Sequence, residues 1–280
     1  GLNAVLLPLV VSLVGIVASI LGFFLVRTKE GGNPQAGLNR GTFGSGILMV
    51  IGTIFAIRWL IPAGEVAVPD IISGETVMYK SWGVTLAIVG GLISGIAIGL
   101  VTEYYTATFK APVQTIVEAS RTGPATTVIQ GIAVGMNSTT LPILIIGAAI
   151  LIAYEFAGLY GIALAGVGML STLAIQLATD AYGPIADNAG GVAEMSRLGR
   201  DIRSRTDKLD AVGNTTAAIG KGFAIGSAAL TALALTAAYI TKMQGKIDMD
   251  AANPYVLVGL LIGCMLPFRF SAMAMVAVGK

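Results

Sequence analysis

Long apolar stretches alternate with short polar stretches along the whole chain. A helix needs about 20 apolar residues to cross the roughly 30 Å of hydrocarbon in a bilayer. The pattern therefore predicts an all-α, polytopic membrane protein, with one transmembrane helical region over residues 1–280 and no separate soluble domain. We expect about seven spans, with approximate bounds 3–26, 41–61, 81–102, a span within 126–154, 156–185, 215–241 and 253–278.

Local signals refine three segments. Pro142 lacks a backbone N–H and predicts a kink in the fourth span. The third span is rich in small residues, which allow neighbouring helices to approach closely. Between the second and third spans, apolar residues alternate over part of 62–80, and this favours a small β-hairpin outside the membrane.

The composition agrees with a membrane protein. Apolar residues make up 55% of the 280 residues and charged residues only 11%, whereas about a quarter of the residues in a soluble domain are charged. The chain has no histidine, so any metal is expected to be a hard ion held by oxygen ligands. The single cysteine, Cys264, lies in an apolar stretch and is interpreted as a core residue. We expect contact with a lipid bilayer and none with nucleic acid.

Basic residues are distributed unequally between the two sets of loops. One set of loops includes those next to the polar ends of the fifth and sixth spans. Its basic residues are Arg27, Lys29, Arg40, Lys110, Arg121, Arg197, Arg200, Arg203, Arg205 and Lys208. The opposite loops carry Lys80, Lys242 and Lys246. Because basic residues are enriched in cytoplasmic loops, the first side is predicted to face the cytoplasm.

The stretch 179–227 departs from the apolar pattern. Acidic residues recur there at a spacing of seven and so share one helix face: Asp180, Asp187 and Glu194. The same spacing recurs on the next helix, beyond a predicted charged hinge over 197–213, in Asn214 and Lys221. A charge at bilayer depth costs about 2.5–3.5 kcal/mol and is retained mainly where it pairs or functions. The stretch is therefore the candidate site.

The residue types point to a metal and a phosphate. Asp187 and Asn214 offer the hard oxygen ligands that Mg²⁺ takes together with phosphate oxygens. Lys221 offers a positive charge for the same phosphates. The spacing leaves an alternative open, in which Asp187 and Lys221 form a buried salt bridge that fixes the packing of the two helices.

Two other classes of protein fit the same pattern. In a gradient-driven transporter or channel segment, the polar helix ends would bind a transported ion without hydrolysis. A purely structural helical bundle would use the polar residues for packing alone. The two classes differ in their ion flux, which only the first would show.

Four motifs give the chain a family resemblance. The runs TDAYGPIADNAGGVAEMS at 179–196 and GNTTAAIGKGFAIGSA at 213–228 closely resemble motifs of the membrane-embedded, ion-pumping pyrophosphatases. EYYT at 103–106 and PFRFSAMAMVAVGK at 267–280 are similar to further motifs of that family, in the same order. The resemblance implies a homodimer whose subunits have roughly sixteen helices in two rings, with this chain in the middle of a subunit.

The resemblance also implies roles for individual residues. Asp187 and Asn214 would be Mg²⁺ ligands, and Lys221 would be the catalytic residue that contacts pyrophosphate. Ala217 and Gly220 are similar to the K⁺-dependent branch of the family, because the K⁺-independent branch has lysine and threonine at these positions. Asp180 lies two turns from Asp187 on the same stripe, and we expect it to have a supporting role in coupling.

The implied activity is hydrolysis of Mg²⁺-pyrophosphate on the cytoplasmic side, coupled to translocation of H⁺ or Na⁺, with Mg²⁺ and K⁺ as cofactors. Residues 1–26 are uncharged and lack the basic flank of a signal peptide, so they are interpreted as a span already in progress. The family's acid-rich helices are expected to lie outside this chain, which alone would be inactive. Arg269 departs from the family pattern, which has an apolar or aromatic residue at that position.

Overall fold

The computed structural model describes residues 2–29, 31–69, 75–243 and 250–279. Within these ranges the chain forms nine helices and a two-stranded sheet. In chain order the elements are α1 (Leu2–Phe23), α2 (Pro34–Leu60), β1 (Glu65–Pro69), β2 (Thr76–Lys80), α3 (Ser81–Thr106), α4 (Ala111–Ser120), α5 (Pro124–Ser138), α6 (Thr140–Leu170), α7 (Leu173–Met195), α8 (Arg200–Lys242) and α9 (Pro254–Val278). The prediction of an α-helical protein is confirmed.

Six helical segments in the described ranges are long and apolar enough to cross a membrane. They are Leu2–Phe23, Pro34–Leu60, Ser81–Ser120, Pro124–Leu170, Arg200–Ile240 and Pro254–Val278. The chain is thus a multi-pass membrane protein, as predicted. The segment Pro124–Leu170 contains the predicted fourth span and the start of the predicted fifth, which continues into the more polar α7, so the six segments account for the seven predicted spans.

The predicted fourth span is interrupted near Pro142. Helix α5 ends at Ser138, and α6 begins at Thr140. Pro142 has no N–H to donate to the carbonyl of Ser138, so one hydrogen bond of a continuous helix is missing at this point. The prediction of a distortion at this proline is confirmed.

Helix α6 consists of two segments that fold back on each other. Ala157 and Gly158 have non-helical backbone angles, and Gly158 has a φ of 59°. A Cβ on Gly161 would collide with the carbonyl oxygen of Ala153, although residues eight apart on a straight helix are about 12 Å apart. The chain therefore reverses at Gly158, where the sequence predicts the boundary between the fourth and fifth spans.

The second segment of α6 packs tightly against α3 through glycines. A Cβ on Gly91 would collide with the carbonyl oxygen of Ala165, and a Cβ on Gly168 would collide with that of Ile88. Glycine at both positions lets the two backbones touch. This contact confirms the prediction that the small residues of the third span serve close helix packing.

The predicted charged hinge over 197–213 is wrong over most of its length. Helix α7 continues to Met195 and α8 begins at Arg200, so the turn covers only residues 196–199. Arg197 reverses the chain with a φ of 52°. The first turns of α8 are charged but helical, because Arg203 pairs with Asp207 at i,i+4 spacing.

One end of the helices is closed by the predicted β-hairpin, in which β1 and β2 are antiparallel and Glu65 pairs with Lys80. At the same end Asn3 Nδ2 donates to the Leu60 carbonyl at 2.7 Å. Residues 70–74 of the predicted hairpin segment lie outside the described residues. We call this the hairpin end.

The chain divides into two compact units, Gly1–Leu235 and Thr236–Lys280. The first unit has a core of fully buried side chains that includes Leu7, Met49, Ile88, Ile98, Leu164, Met169 and Leu230. The second unit contains α9, whose first turn is capped by Asn253, which accepts from the N–H of Tyr255 at 3.0 Å. Lys246, which the sequence assigns to a loop between the last two spans, lies outside the described residues.

Candidate functional site

The candidate site is built on the antiparallel helices α7 and α8, which cross at a pair of glycines. A Cβ on Gly183 would lie 2.9 Å from the carbonyl oxygen of Gly213, and a Cβ on Gly213 would lie 2.8 Å from the Cα of Gly183. Neither position has room for a side chain. Asp187 is one turn beyond Gly183 and Asn214 follows Gly213, so both predicted metal ligands flank this crossing.

Arg203 joins the two helices near their turn. Its Nη1 donates to the carbonyl oxygen of Gly190 at 2.6 Å. Its Nε lies 3.4 Å from Glu194 Oε2 and 3.0 Å from Asp207 Oδ1. The guanidinium therefore links α8 to the backbone and a side chain of α7. Glu194, the third member of the predicted acidic stripe, is used in this link.

A second bond joins the helices closer to the crossing. The hydroxyl of Tyr182 on α7 donates to the carbonyl oxygen of Leu209 on α8 at 3.1 Å. Together with the Arg203 contacts, it fixes α7 and α8 on both sides of Asp187. The sequence contains the residues of these links, but their partners lie too far apart in the chain for spacing rules to identify them.

The predicted site residues Asp187, Asn214 and Lys221 are exposed. In the described part of the chain, neither Asp187 nor Lys221 has an ion-pair partner, so the alternative of a buried salt bridge between them is not realised. The amide of Asn214 donates to Asp210 Oδ1 at 3.3 Å. Sequence analysis did not identify Asp210, although its position one turn before Asn214 is a usable signal.

Asp180 is partly buried and lies against Gly220. A Cβ on Gly220 would be 3.4 Å from both Cγ and Oδ1 of Asp180. Pro184 has no N–H to bond to the Asp180 carbonyl, so the helix is also weakened beside this acid. The structure thus brings together a predicted coupling residue and a predicted K⁺ determinant. The other determinant, Ala217, is partly buried on the same helix as Gly220.

The donor atoms agree with part of a Mg²⁺ site. No group of three or more His, Cys, Asp or Glu side chains able to hold a metal is assembled among the residues that the structure describes. Mg²⁺, however, is commonly held by one or two protein oxygens and completed by water and phosphate. A carboxylate from Asp187 and an amide oxygen from Asn214 fit that requirement.

A large basic cavity opens at the end of the helices opposite the hairpin end. Its volume is about 890 Å³, and it lies between the segment before α2, the end of α3 and the first turns of α8. The charged side chains in its wall are Glu103, Lys110, Arg200, Arg203, Asp207 and Lys208. Basic residues outnumber acidic ones, so the cavity favours anions. We call this end the site end.

Helical spans joined by tight glycine contacts, with a polar helix pair at one end, define a multi-pass membrane protein with a polar candidate site. The family model described as inorganic H⁺ pyrophosphatase matches residues 1–280. The chain belongs to the inorganic H⁺ pyrophosphatase family.

Curated relatives carry related names. The chain is 47% identical over 286 residues to a putative K⁺-stimulated pyrophosphate-energized sodium pump of Clostridium tetani, covering 99% of the chain and 40% of that protein. It is 42% identical over 321 residues to a pump of the same name in Bacteroides thetaiotaomicron, covering 99% and 42%. It is 44% identical over 303 residues to a K⁺-insensitive pyrophosphate-energized proton pump of Caldanaerobacter subterraneus subsp. tengcongensis, covering 100% and 41%. The chain therefore spans about two fifths of the length of these relatives.

Proposed function

We propose that this chain forms part of the catalytic site of an ion-pumping pyrophosphatase, which hydrolyses Mg²⁺-pyrophosphate on the cytoplasmic side and moves H⁺ or Na⁺ across the membrane. The observation that carries this proposal is the α7–α8 pair. Its glycine crossing places Asp187 and Asn214 on either side of one close contact between the helices, with Lys221 two turns beyond Asn214 on α8, and all three side chains are exposed. Membership of the inorganic H⁺ pyrophosphatase family supports pyrophosphate as the substrate.

The chemistry requires charge neutralisation more than covalent participation. Transfer of a phosphoryl group to water passes through a state whose negative charge is spread over the phosphate oxygens. Asp187 and Asn214 would hold Mg²⁺ through hard oxygens, and the metal would supply positive charge that neutralises the phosphate oxygens. Lys221 would donate from its ammonium group to a phosphate oxygen. The remaining metal ligands and the carboxylates that orient the attacking water come from other parts of the subunit.

The geometry of α8 agrees with these roles. Asn214 and Lys221 are seven residues apart on one helix, so they share a face and lie about 10 Å apart along the axis. A metal at the first and a phosphate at the second would place a pyrophosphate along α8. The basic cavity at the site end would attract the substrate from solution.

The K⁺ requirement rests on two small side chains. Ala217 lacks the ammonium group that would replace a K⁺ ion, and Gly220 leaves the carboxylate of Asp180 uncovered. We therefore propose a K⁺-dependent pump that acts as a homodimer. The relatives include both sodium and proton pumps, so the transported ion is H⁺ or Na⁺.

The test is phosphate release from Mg²⁺-pyrophosphate by membranes that carry the full-length pump, with and without K⁺. K⁺ is expected to stimulate release. Lys221→Ala should lower it about 100-fold or more, as loss of a donor to a developing charge typically does. Lys242→Ala removes an exposed lysine from the far end of the same helix and should leave release unchanged. Ala217→Lys should retain release and lose most of the K⁺ stimulation.

Two results would overturn these assignments. Unchanged K⁺ stimulation in Ala217→Lys would remove the basis for the K⁺ site. If the folded pump released no phosphate with any cation, the assignment as a pyrophosphatase would be wrong. A transporter driven by gradients alone would then account for the polar helix ends. That transporter predicts ion flux that pyrophosphate does not change.

A further inference from the structure

A small cavity lined in part by polar residues lies between α2, α3, α7 and α8. Helix α8 contributes Thr216 and Ile219 to it, whereas Lys221, on another face of α8, is exposed to solvent. The volume of the cavity is about 40 Å³, enough for one or two particles of the size of a water molecule, which occupies about 30 Å³ in the liquid. The polar groups that line it include Gln35, Asn39, Glu103, Gln176, Thr179 and Thr216. None of these residues has a role in the proposed hydrolysis.

Several oxygen atoms in the lining can accept a further partner. Thr179 and Thr216 donate their hydroxyl protons to the backbone carbonyls of Gln176 and Gly213, at 2.8 and 2.9 Å. Each hydroxyl oxygen keeps lone pairs for another partner. Gln35 donates to Asn39 Oδ1 at 3.0 Å, but its own Oε1 is buried and accepts no hydrogen bond from the described protein atoms.

Two further polar groups line the cavity. Gln176 is only 6% exposed, so its side-chain amide is almost fully withdrawn from solvent. Glu103 is partly buried and accepts one long bond, from Asn39 Nδ2 at 3.4 Å. It has no ion-pair partner in the described part of the chain. A buried polar group without a partner is uncommon in folded proteins and calls for an explanation.

We propose that this cavity binds one dehydrated monovalent cation, Na⁺ or K⁺. Glu103 is the one charged residue in the lining, so a single positive charge balances it. Gln35 Oε1 and the two threonine hydroxyls complete an oxygen environment. Mg²⁺ is excluded by size, because it keeps several of its waters and a cavity of about 40 Å³ has no room for them. A bound cation would join α2 and α3 to the two helices of the candidate site.

The experiment measures thermal unfolding of the full-length pump in detergent, without pyrophosphate or Mg²⁺, in KCl, NaCl or choline chloride at equal ionic strength. A cation that binds only the folded protein raises the melting midpoint, here by a few degrees relative to choline. Glu103→Gln keeps the shape of the side chain and removes its charge, so at least half of that shift should be lost. Glu118→Gln, an exposed carboxylate on α4, is the matched control and should keep the full shift.

Two additions separate this site from other effects. Gln35→Met removes the unpaired oxygen at similar volume, and it should raise the K⁺ or Na⁺ concentration that gives half of the shift by threefold or more. The same series is repeated in the Ala217→Lys variant, in which the K⁺ site proposed on α8 no longer contributes to stability. The part of the melting-midpoint shift that depends on Glu103 should persist in that variant. If Glu103→Gln and Gln35→Met both keep the parental shift and half-point, the cavity holds only water and the proposal is wrong. Because no substrate is present, this result is independent of whether the pump hydrolyses pyrophosphate.

Discussion

At the scale of single residues, the contact between Asp180 and Gly220 gives a physical basis for a coupling role. Asp180 is partly buried, so its charge is less well solvated than those of the exposed Asp187 and Lys221. It lies seven residues, or two helical turns, before Asp187 on α7. Since α7 runs toward the site end, Asp180 is deeper in the protein than Asp187, the proposed metal ligand.

Asp180→Asn is therefore expected to separate pumping from hydrolysis. Asparagine has nearly the same shape, so the contact with Gly220 is retained while the charge is removed. We expect the amount of ion pumped per pyrophosphate to fall at least about threefold, while phosphate release falls less, because a partly buried charge influences ion movement more than its neutral isostere does. Ion uptake and phosphate release would be measured together in sealed vesicles.

Asp201→Asn provides the comparison, because Asp201 is an exposed acid in the first turn of α8. It should leave both rates and their ratio unchanged. Parental pumping and hydrolysis in Asp180→Asn would show that Asp180 has no part in coupling and serves only helix packing.

At the scale of helices, Arg203 determines how firmly α8 is held against α7. Its bond to the Gly190 carbonyl acts one turn from Asp187, and a hydrogen bond to a charged group stabilises a structure by about 1.5–3 kcal/mol. The ion pairs with Glu194 and Asp207 contribute less, because all three side chains are at least 38% exposed. Loss of the side chain is expected to loosen the position of Asp187 without changing the metal ligands.

Arg203→Ala should therefore raise the Mg²⁺ concentration for half-maximal phosphate release by about five- to tenfold, equivalent to roughly 1–1.4 kcal/mol, with a smaller change in the maximal rate. The lysine in Arg203→Lys can make one of these bonds but cannot reach all the partners of the planar guanidinium at once. Its Mg²⁺ concentration for half-maximal release should therefore lie between those of the parent and Arg203→Ala. Arg121→Ala, at an exposed arginine that does not line the basic cavity, is the control and should leave both quantities unchanged. A lower maximal rate at an unchanged Mg²⁺ requirement would contradict this role for Arg203.

At the scale of the whole molecule, the apolar pattern predicted most helices because a membrane span depends on composition and length, which are local properties. It missed α4 and the first turns of α8, which are rich in polar residues and therefore resemble loops in a hydropathy pattern. In the first turns of α8, the i,i+4 pair of Arg203 and Asp207 contributes to the stability of the helix. The reversal at Gly158 is visible in the sequence only as a boundary, because the backbone contact that closes it joins Gly161 to Ala153.

The candidate site divides in the same way. Spacing along one helix placed Asp187 and Asp180 on a common stripe, and Asn214 and Lys221 on another. Spacing along one helix could not predict the contacts between helices. The bond between Asn39 and Glu103 joins residues 64 positions apart, and that between Tyr182 and Leu209 joins residues 27 apart. Such pairs are fixed by packing of the whole bundle, and no local pattern in a single sequence specifies them.

The orientation of the molecule in the membrane is predicted from its charge distribution, and a direct test is available. The loop around Lys29 lies at the site end, since residues from Gly31 to Gln35 share the basic cavity with the first turns of α8. Ala63 lies at the hairpin end, in the turn before β1. Both side chains are exposed, so a cysteine at either position would react with a water-soluble maleimide applied from its own side.

In a full-length pump whose cysteines are all replaced, Cys264→Ser among them, a bulky membrane-impermeant maleimide should label Ala63→Cys several-fold faster in intact cells. Lys29→Cys should be labelled several-fold faster in inside-out vesicles, because the basic loops are retained in the cytoplasm. Detergent should equalise the two rates and serves as the control for intrinsic reactivity. The reverse pattern would place the α7–α8 site on the outer face, away from cytoplasmic pyrophosphate, and the proposed direction of pumping would then be wrong.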